Sequence, residues 1–377
     1  MSFRVPFVNY PLHYEKIKTE IDREVGRILS TGNLILRKDV DDFEKRMADF
    51  IGVPYAVGVS SGTDGLILAL KAAGIGAGDE VITVAHTFLA SIASIAHVGA
   101  TPILVDVLDD FTMNPDLVEA AITKNTKAIM PVHFNGRLTR MDKIKALAEK
   151  YNLKIIEDSC QGLGASYKGI TGGAWGVAAA FSFYPAKILG AAGDAGLVST
   201  HSQEVYETVR LYRDHGRKTK DLFEFFGYTN RIDNLQAAIL NVKLNYLPQW
   251  IERRREIAQI YIKGLSSMSE LKLPYFDGEN HHDTFQNFVV RISNRDEFAG
   301  YLRDNGIEIL VSNPLPNHKQ PKLGLTHFSL PMTERLSGEV ISLPMYPELT
   351  DDQVNYVVET IGKYLLKTPA LALQDKA

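Results

Sequence analysis

The chain alternates short apolar runs with amphipathic stretches. Tyr55-Ala-Val-Gly-Val-Ser60 predicts a buried strand, and Thr63 to Gly74 a helix with Leu66, Ile67 and Leu70 on one face. Glu80-Val-Ile-Thr-Val84 predicts a second strand, followed by a helix from Phe88 to Val98 that stops at Gly99. Pro102 to Asp106, Thr126 to His133 and Leu153 to Glu157 predict three more strands, with a helix from Met141 to Tyr151 before the last. Continuous apolar strands separated by helices indicate a parallel sheet covered on both faces. Val177 to Phe183 and Gly196 to Thr200 predict two further strands with no helix between them. The expectation is an α/β protein whose large domain holds a mixed, mostly parallel sheet of about seven strands.

Ile232 to about Gly264 predicts one or two long helices with Pro248 near the break. Beyond Pro274 the texture changes. Asn287 to Ile292 and Ile307 to Val311 predict strands, and Arg295 to Asn305 and Asp351 to Leu366 predict helices. That is the pattern of a smaller α+β domain, so the chain divides into a large domain, 1–250, and a C-terminal domain, 251–377. The tail after Lys367 is expected to fray.

Composition narrows the picture a little. The 377 residues, 45% hydrophobic and 23% charged, suit an ordinary globular chain. A net charge of -4 provides no global field for nucleic acid or an anionic membrane. No apolar run approaches the roughly 18 residues that span a bilayer. Cys160 is the lone cysteine, which suits a reducing compartment such as the cytoplasm.

Ligands of such sheets bind at the carboxyl ends of the strands, and three ends there carry candidate chemistry. Val59-Ser-Ser-Gly-Thr-Asp-Gly65 is a small-residue turn into a helix start, which suits an anion at Gly62 and Thr63 or simply an N-cap. In Ile155-Ile-Glu-Asp-Ser-Cys-Gln161, Asp158 ends an apolar strand, where an acid needs a partner: a protonated ring nitrogen, a cap or a salt bridge. After Ala180-Phe-Ser-Phe-Tyr-Pro-Ala-Lys187 the lysine lies between apolar neighbours and glycines. It is either a desolvated, nucleophilic amine or a surface residue of a mobile loop. Taken together, a phosphate cradle, an acid for a ring nitrogen and an amine for an aldehyde are the handles of pyridoxal phosphate.

The sequence resembles the DegT/DnrJ/StrS family of sugar aminotransferases from about residue 5 to residue 365. The resemblance is carried by VSSGTDGLILALKAAGIGAGDEVI, HTFLASIASIAHVGATPILVDV, TKAIMPVH, IIEDSCQGLGASYKG, FSFYPAKILGAAGDAG, RDHG, GYTNRIDNLQAAIL, PLPNHKQP and ISLPMYPELT. It implies the type I, aspartate aminotransferase-like fold, pyridoxal 5'-phosphate as cofactor, and a nucleotide-linked keto-sugar as acceptor with L-glutamate as donor. Lys187 is expected to bond the cofactor aldehyde and move the proton, and Asp158 to keep the pyridine nitrogen protonated. Gln161 is expected at the ring hydroxyl and Phe88 on the ring face, with Gly62, Thr63 and Ser182 on the phosphate. A residue of GYTNRID is expected to complete the phosphate site of a neighbouring subunit, Asn230 first and Thr229 as the other candidate. That arrangement makes the protein a homodimer with shared sites.

Arg231, Arg37 and His318 are candidate substrate contacts, and no metal site is expected. His281-His282 reads as a solvated turn, His86 as a pocket-lining residue, Asp194 as a brace for the lysine loop, and Cys160 as a small buried residue. Relatives often have G-P-E-V at Arg37 to Val40 and a His-Tyr pair at Ser312-Asn313. The R-I-D spacing of Arg231 to Asp233 is more similar to the branch acting at C3 than at C4. Two other readings are amination at C4 and sugar dehydration, the latter opposed by Lys187 where such relatives carry histidine. A third is a non-catalytic regulatory or binding homologue.

Overall fold

A computed structural model describes residues 3–274 and 278–374. Two helices open the chain, α1 (Tyr10–Thr31) and α2 (Lys38–Ile51). The apolar runs then form β1 (Tyr55–Val59), β2 (Glu80–Val84), β3 (Thr101–Val105), β4 (Thr126–Ile129), β5 (Lys154–Asp158), β6 (Ala178–Ser182) and β7 (Gly196–Thr200). These make one seven-stranded sheet in the order β1-β7-β6-β5-β4-β2-β3. Only β7 runs antiparallel to its neighbours; the other pairings are parallel. The absence of a helix between β6 and β7 is what allows that reversal.

Alternation along β6 shows how the sheet is covered. Ala178 and Ala180 pack with Leu66, Leu68, Ala69 and Leu70 of α3 (Gly62–Ala72). Ala179 and Phe181 face the other way, onto Phe43 and Met47 of α2 and onto Ala237 and Leu240 of a later helix. Successive strand residues point to opposite faces, so small side chains at β6 let helices approach from both sides. α4 (Ala90–His97), α5 (Met141–Tyr151) and α6 (Gln203–Arg213) follow in this region, with a single helical turn at Pro115–Val118.

The later helix is α7 (Asn234–Lys243), followed by α8 (Leu247–Leu265) with Pro248 in its first turn. The break therefore falls just ahead of the proline, where its missing N–H costs no intrahelical bond. α8 serves two apolar clusters: Trp250 and Ile251 join the sheet's core, whereas Ile257 and Tyr261 join a second cluster with Phe288, Phe298, Ile341 and Val354. That second cluster is built from β8 (Phe288–Arg291), α9 (Arg295–Asp304), β9 (Val340–Leu343) and α11 (Asp351–Gln374), whereas Leu336 of α10 (Pro331–Glu339) packs with Ile82, Val84 and Met141 of the large region.

Two expectations change here. Ile307 to Val311 is not a strand, because Ile307 bridges Val5 while Leu310 bridges Ser342, so no single partner continues the ladder. The partner of β8 is instead β9, antiparallel, with Phe288 opposite Leu343. The last helix continues past Lys367 to Gln374, and residues 375–377 lie outside the described part.

Candidate active site

The carboxyl ends of β1, β5 and β6 converge. Ser61 caps α3 through its side chain, which accepts from Asp64 N. The first intrahelical bond runs from Gly65 N to Ser61 O, so the N–H groups of Gly62 and Thr63 lie ahead of it, where helices receive anions. Gly62 is required by close packing: a Cβ there would lie 2.7 Å from Cys160 Sγ and 2.8 Å from Ser182 Cβ. The cradle, the end of β5 and the end of β6 are thus in direct contact.

Asp158 is 5% exposed. Its Oδ2 accepts from Ser91 Oγ at 2.6 Å and its Oδ1 from Cys160 N at 3.1 Å. Ser91 also touches Thr87 Oγ1 at 2.7 Å. With Ser91's only hydroxyl proton given to Asp158, Thr87 donates to Ser91, and the pair forms a short relay from α4 onto the acid. Lys187 is partly buried, and burial lowers its pKa below the usual lysine value, against the pull of Cys160 and Asp158. Burial, with Asp158 nearby, pushes the Cys160 thiol well up, so it is a thiol and not a nucleophile.

Gln161 Oε1 accepts from Asn135 N at 3.0 Å. Phe88 is 68% exposed. The backbone just ahead of it is held from the C-terminal part of the chain. Asn313 Nδ2 donates to Thr87 O at 2.7 Å, and Asn317 Nδ2 donates to Thr87 O at 2.7 Å and to Ala85 O at 3.1 Å. His86 is buried against Phe111 and Phe134, and burial lowers its pKa to about 4, so it sits neutral beneath the site.

The structure therefore brings Gly62, Ser182, Asp158 and Lys187 to one place, and it redirects the residues expected around them. Asn230 Nδ2 donates to Asp64 Oδ1 of its own chain at 3.0 Å, while the Ser60 and Ser61 hydroxyls donate to Asp64 Oδ2. Thr229 is exposed, with its hydroxyl 3.0 Å from His215 Nε2. Arg231 is paired with Asp214 at 2.8 Å. Arg37 is exposed and stands at the N-cap position of α2 without a side-chain capping bond; its segment is stitched to the GYTNRID end through Asn234 N donating to Leu34 O.

Other expectations need correction. His318 has no exposed surface, and its Nε2 is 3.0 Å from Glu334 Oε1, so it is closed off from a substrate. Asp194 is exposed and makes no hydrogen bond or ion pair among the described residues. The lysine loop is braced instead by Gln236, which accepts from Ala192 N, and by Lys243, which donates to Gly190 O. His281 is 6% exposed, in a short strand against Tyr167, with Nε2 3.1 Å from Leu138 O. Sequence reasoning missed Thr87 and Ser91, whose i, i+4 spacing around the start of α4 is their only local signal, and Asn135 and Asn317, which have none.

Residues 15–362 match the DegT/DnrJ/EryC1/StrS aminotransferase family. The chain belongs to this family. It is 41% identical over 366 residues to the dTDP-3-amino-3,4,6-trideoxy-alpha-D-glucose transaminase of Micromonospora megalomicea subsp. nigra, covering 95% of this chain and 98% of the relative. It is 40% identical over 366 residues to the "Pleiotropic regulatory protein" of Geobacillus stearothermophilus, covering 96% and 98%. Among solved structures, DesV from S. venezuelae superposes with a TM-score of 0.93 at 37% identity, over 97% of this chain and 99% of that one. Aminotransferases of this family are dependent on pyridoxal phosphate. The groups here fit that cofactor: helix N–H groups and Ser182 for a phosphate, Asp158 to accept from a protonated ring nitrogen, and the Lys187 amine for an aldehyde. No helix among the described residues is long and apolar enough to cross a membrane.

Proposed function

We propose that the protein moves an amino group from L-glutamate to a nucleotide-linked keto-sugar, with the C3 ketone favoured over C4. The observation that carries this reading is Asp158, a buried carboxylate with two donors, at the same sheet end as the Gly62 cradle and the enclosed amine of Lys187. Bound there, pyridoxal phosphate supplies an aldehyde and a ring that takes up the electron pair released when the donor carbon loses its proton.

The protein's own groups do the remaining work. The N–H groups of Gly62 and Thr63 and the hydroxyl of Ser182 hold the phosphate, and Phe88 covers one face of the ring. Gln161 turns Nε2 towards the ring hydroxyl, since its Oε1 is taken by Asn135. Asp158, fixed by Ser91, holds the proton on the ring nitrogen. Lys187 Nζ would hold the aldehyde end of the cofactor and, as a neutral amine, would carry the proton between the donor carbon and the cofactor. Its lowered pKa keeps more of it neutral for that task.

The reading includes a homodimer with shared sites, in the cytoplasm, where Cys160 stays reduced. Asn230 gives one amide hydrogen to its own Asp64 and keeps the other, so it is the group offered first to the neighbour's phosphate, with Thr229, whose hydroxyl lies 3.0 Å from His215 Nε2, as the other candidate. It also includes the division into a cofactor domain, 1–250, and a C-terminal domain, 251–377. Support for C3 comes from the R-I-D spacing and from the relative named for a 3-amino sugar. A regulatory role, suggested by the name of the Geobacillus relative, is disfavoured by intact Lys187, Asp158, Gln161 and Ser182.

The test is a panel of 3-keto and 4-keto sugar nucleotides with glutamate, locating the new amine by NMR. Amination of a 3-keto substrate is expected; turnover of 4-keto substrates alone would move the reading to C4.

A further inference from the structure

The lysine loop closes on itself. Ala191 N donates to Phe183 O at 2.7 Å, and Lys187 N donates to Tyr184 O at 2.8 Å. Gly190 makes the return possible, since a Cβ there would lie 2.3 Å from Pro185 O. Side chains from elsewhere hold the rest. Gln236 accepts from Ala192 N at 2.9 Å, and Lys243 Nζ donates to Gly190 O at 2.6 Å. Each holds one point beyond the lysine.

Gln286 is different. Its Oε1 accepts from Ile188 N at 3.0 Å and its Nε2 donates to Ala186 O at 2.9 Å. One primary amide thus grips the peptide groups on both sides of Lys187. An amide carries its donor and acceptor in one plane, so this grip sets the orientation of the Lys187 backbone as well as its position. Gln286 is 8% exposed and enters from the residues leading into β8. The next residue, Asn287, donates to Asn135 Oδ1 at 3.0 Å, and Asn135 N in turn holds Gln161. Two consecutive residues therefore reach the lysine and the ring-side glutamine.

We propose that Gln286 is the positioning residue of Lys187, holding the lysine's backbone so that its amine stays enclosed at the end of β5. The proposal rests on Lys187 being the cofactor lysine. Without the grip, residues 186–188 relax towards solvent, the amine regains water and its pKa climbs back towards the ordinary lysine value. The ionisable groups around the amine are Asp158 and Cys160 on one side. Tyr10, His13, Lys243, Arg254, Tyr346 and Glu348 line the cavity beside it.

The experiment uses Gln286→Met, which keeps the bulk and removes both hydrogen bonds, and Gln236→Met, which removes a hold on the same loop away from the lysine. In each apoprotein the pH dependence of trinitrobenzenesulfonate modification at Lys187, followed by peptide mass spectrometry, gives the amine's pKa. With pyridoxal phosphate bound, the pH at which the long-wavelength absorbance titrates gives a second reading. Gln286→Met is expected to raise the apoprotein value by about one unit, and Gln236→Met to leave it where it was. Gln286→His, with one ring nitrogen for one of the two peptide groups, falls between, and decides the matter if the Met variant does not fold. An unshifted pKa in the Gln286 variants overturns the proposal. So does an equal shift in Gln236→Met, which would assign the effect to the loop as a whole. A wild-type protein that takes up no pyridoxal phosphate overturns the cofactor reading instead, and shows itself separately from the apoprotein values.

Discussion

Glu157 and Asp158 are adjacent carboxylates at the end of β5, turned to opposite sides of the sheet, and their surroundings differ. Glu157 accepts from Trp175 N and Gly176 N on one oxygen and from Gly173 N and His133 Nε2 on the other, all at 2.8–2.9 Å. His133 Nδ1 accepts from Thr139 N, which leaves Nε2 to donate to Glu157. Three of these bonds fold residues 173–176 onto the strand and the fourth holds His133. Asp158 has two donors, and its environment is otherwise a glycine cradle and an amine. The saturated acid is structural. The acid left with spare acceptor capacity, at the end where the helix N–H groups also point, is the one suited to a cationic ligand atom.

That contrast predicts separable effects. The largest falls on Asp158→Asn. The variant should still bind pyridoxal phosphate through the cradle, but proton removal from glutamate should slow by about a hundredfold or more. Single-turnover absorbance would show it, and an unchanged rate would break the contrast. Glu157→Gln should do the reverse. Glutamine has one carbonyl oxygen for four donors and turns an NH₂ towards N–H groups, so stability should fall by about 3 kcal/mol, seen in thermal melts, while the half-reaction of the folded fraction is nearly preserved. Ser91→Ala is the smallest. It removes one of Asp158's two donors, and a roughly tenfold slowing with an intact melt is expected.

The two acids also show where sequence reasoning works. Asp158 could be singled out because it closes an apolar run at a strand end, and Lys187 because it follows another. The strands were legible from continuous apolar runs, and the reversal at β7 from the missing helix. α1 was readable from Ile17, Ile21 and Ile28, buried along one side, yet these isoleucines are diluted by charged neighbours and went unread. Ser91, Asn135 and Gln286 act through partners distant in the chain, and no local pattern marks them. His318 and Asn317 are adjacent in one motif; only folding decides that Asn317 faces the site and His318 faces Glu334. Ile307 to Val311 has strand composition but meets two partners in turn, a tertiary outcome that overrides propensity.

The central claim is that Lys187 is the amine that takes the cofactor. Lys243 is the natural competitor, since burial pushes its pKa down to about 8 and it donates to the same loop. Borohydride reduction of the protein loaded with pyridoxal phosphate, followed by peptide mass mapping, decides between them. The account predicts a pyridoxyl group on Lys187 alone and none in Lys187→Ala. A label on Lys243, or no label in the wild-type protein, would contradict it.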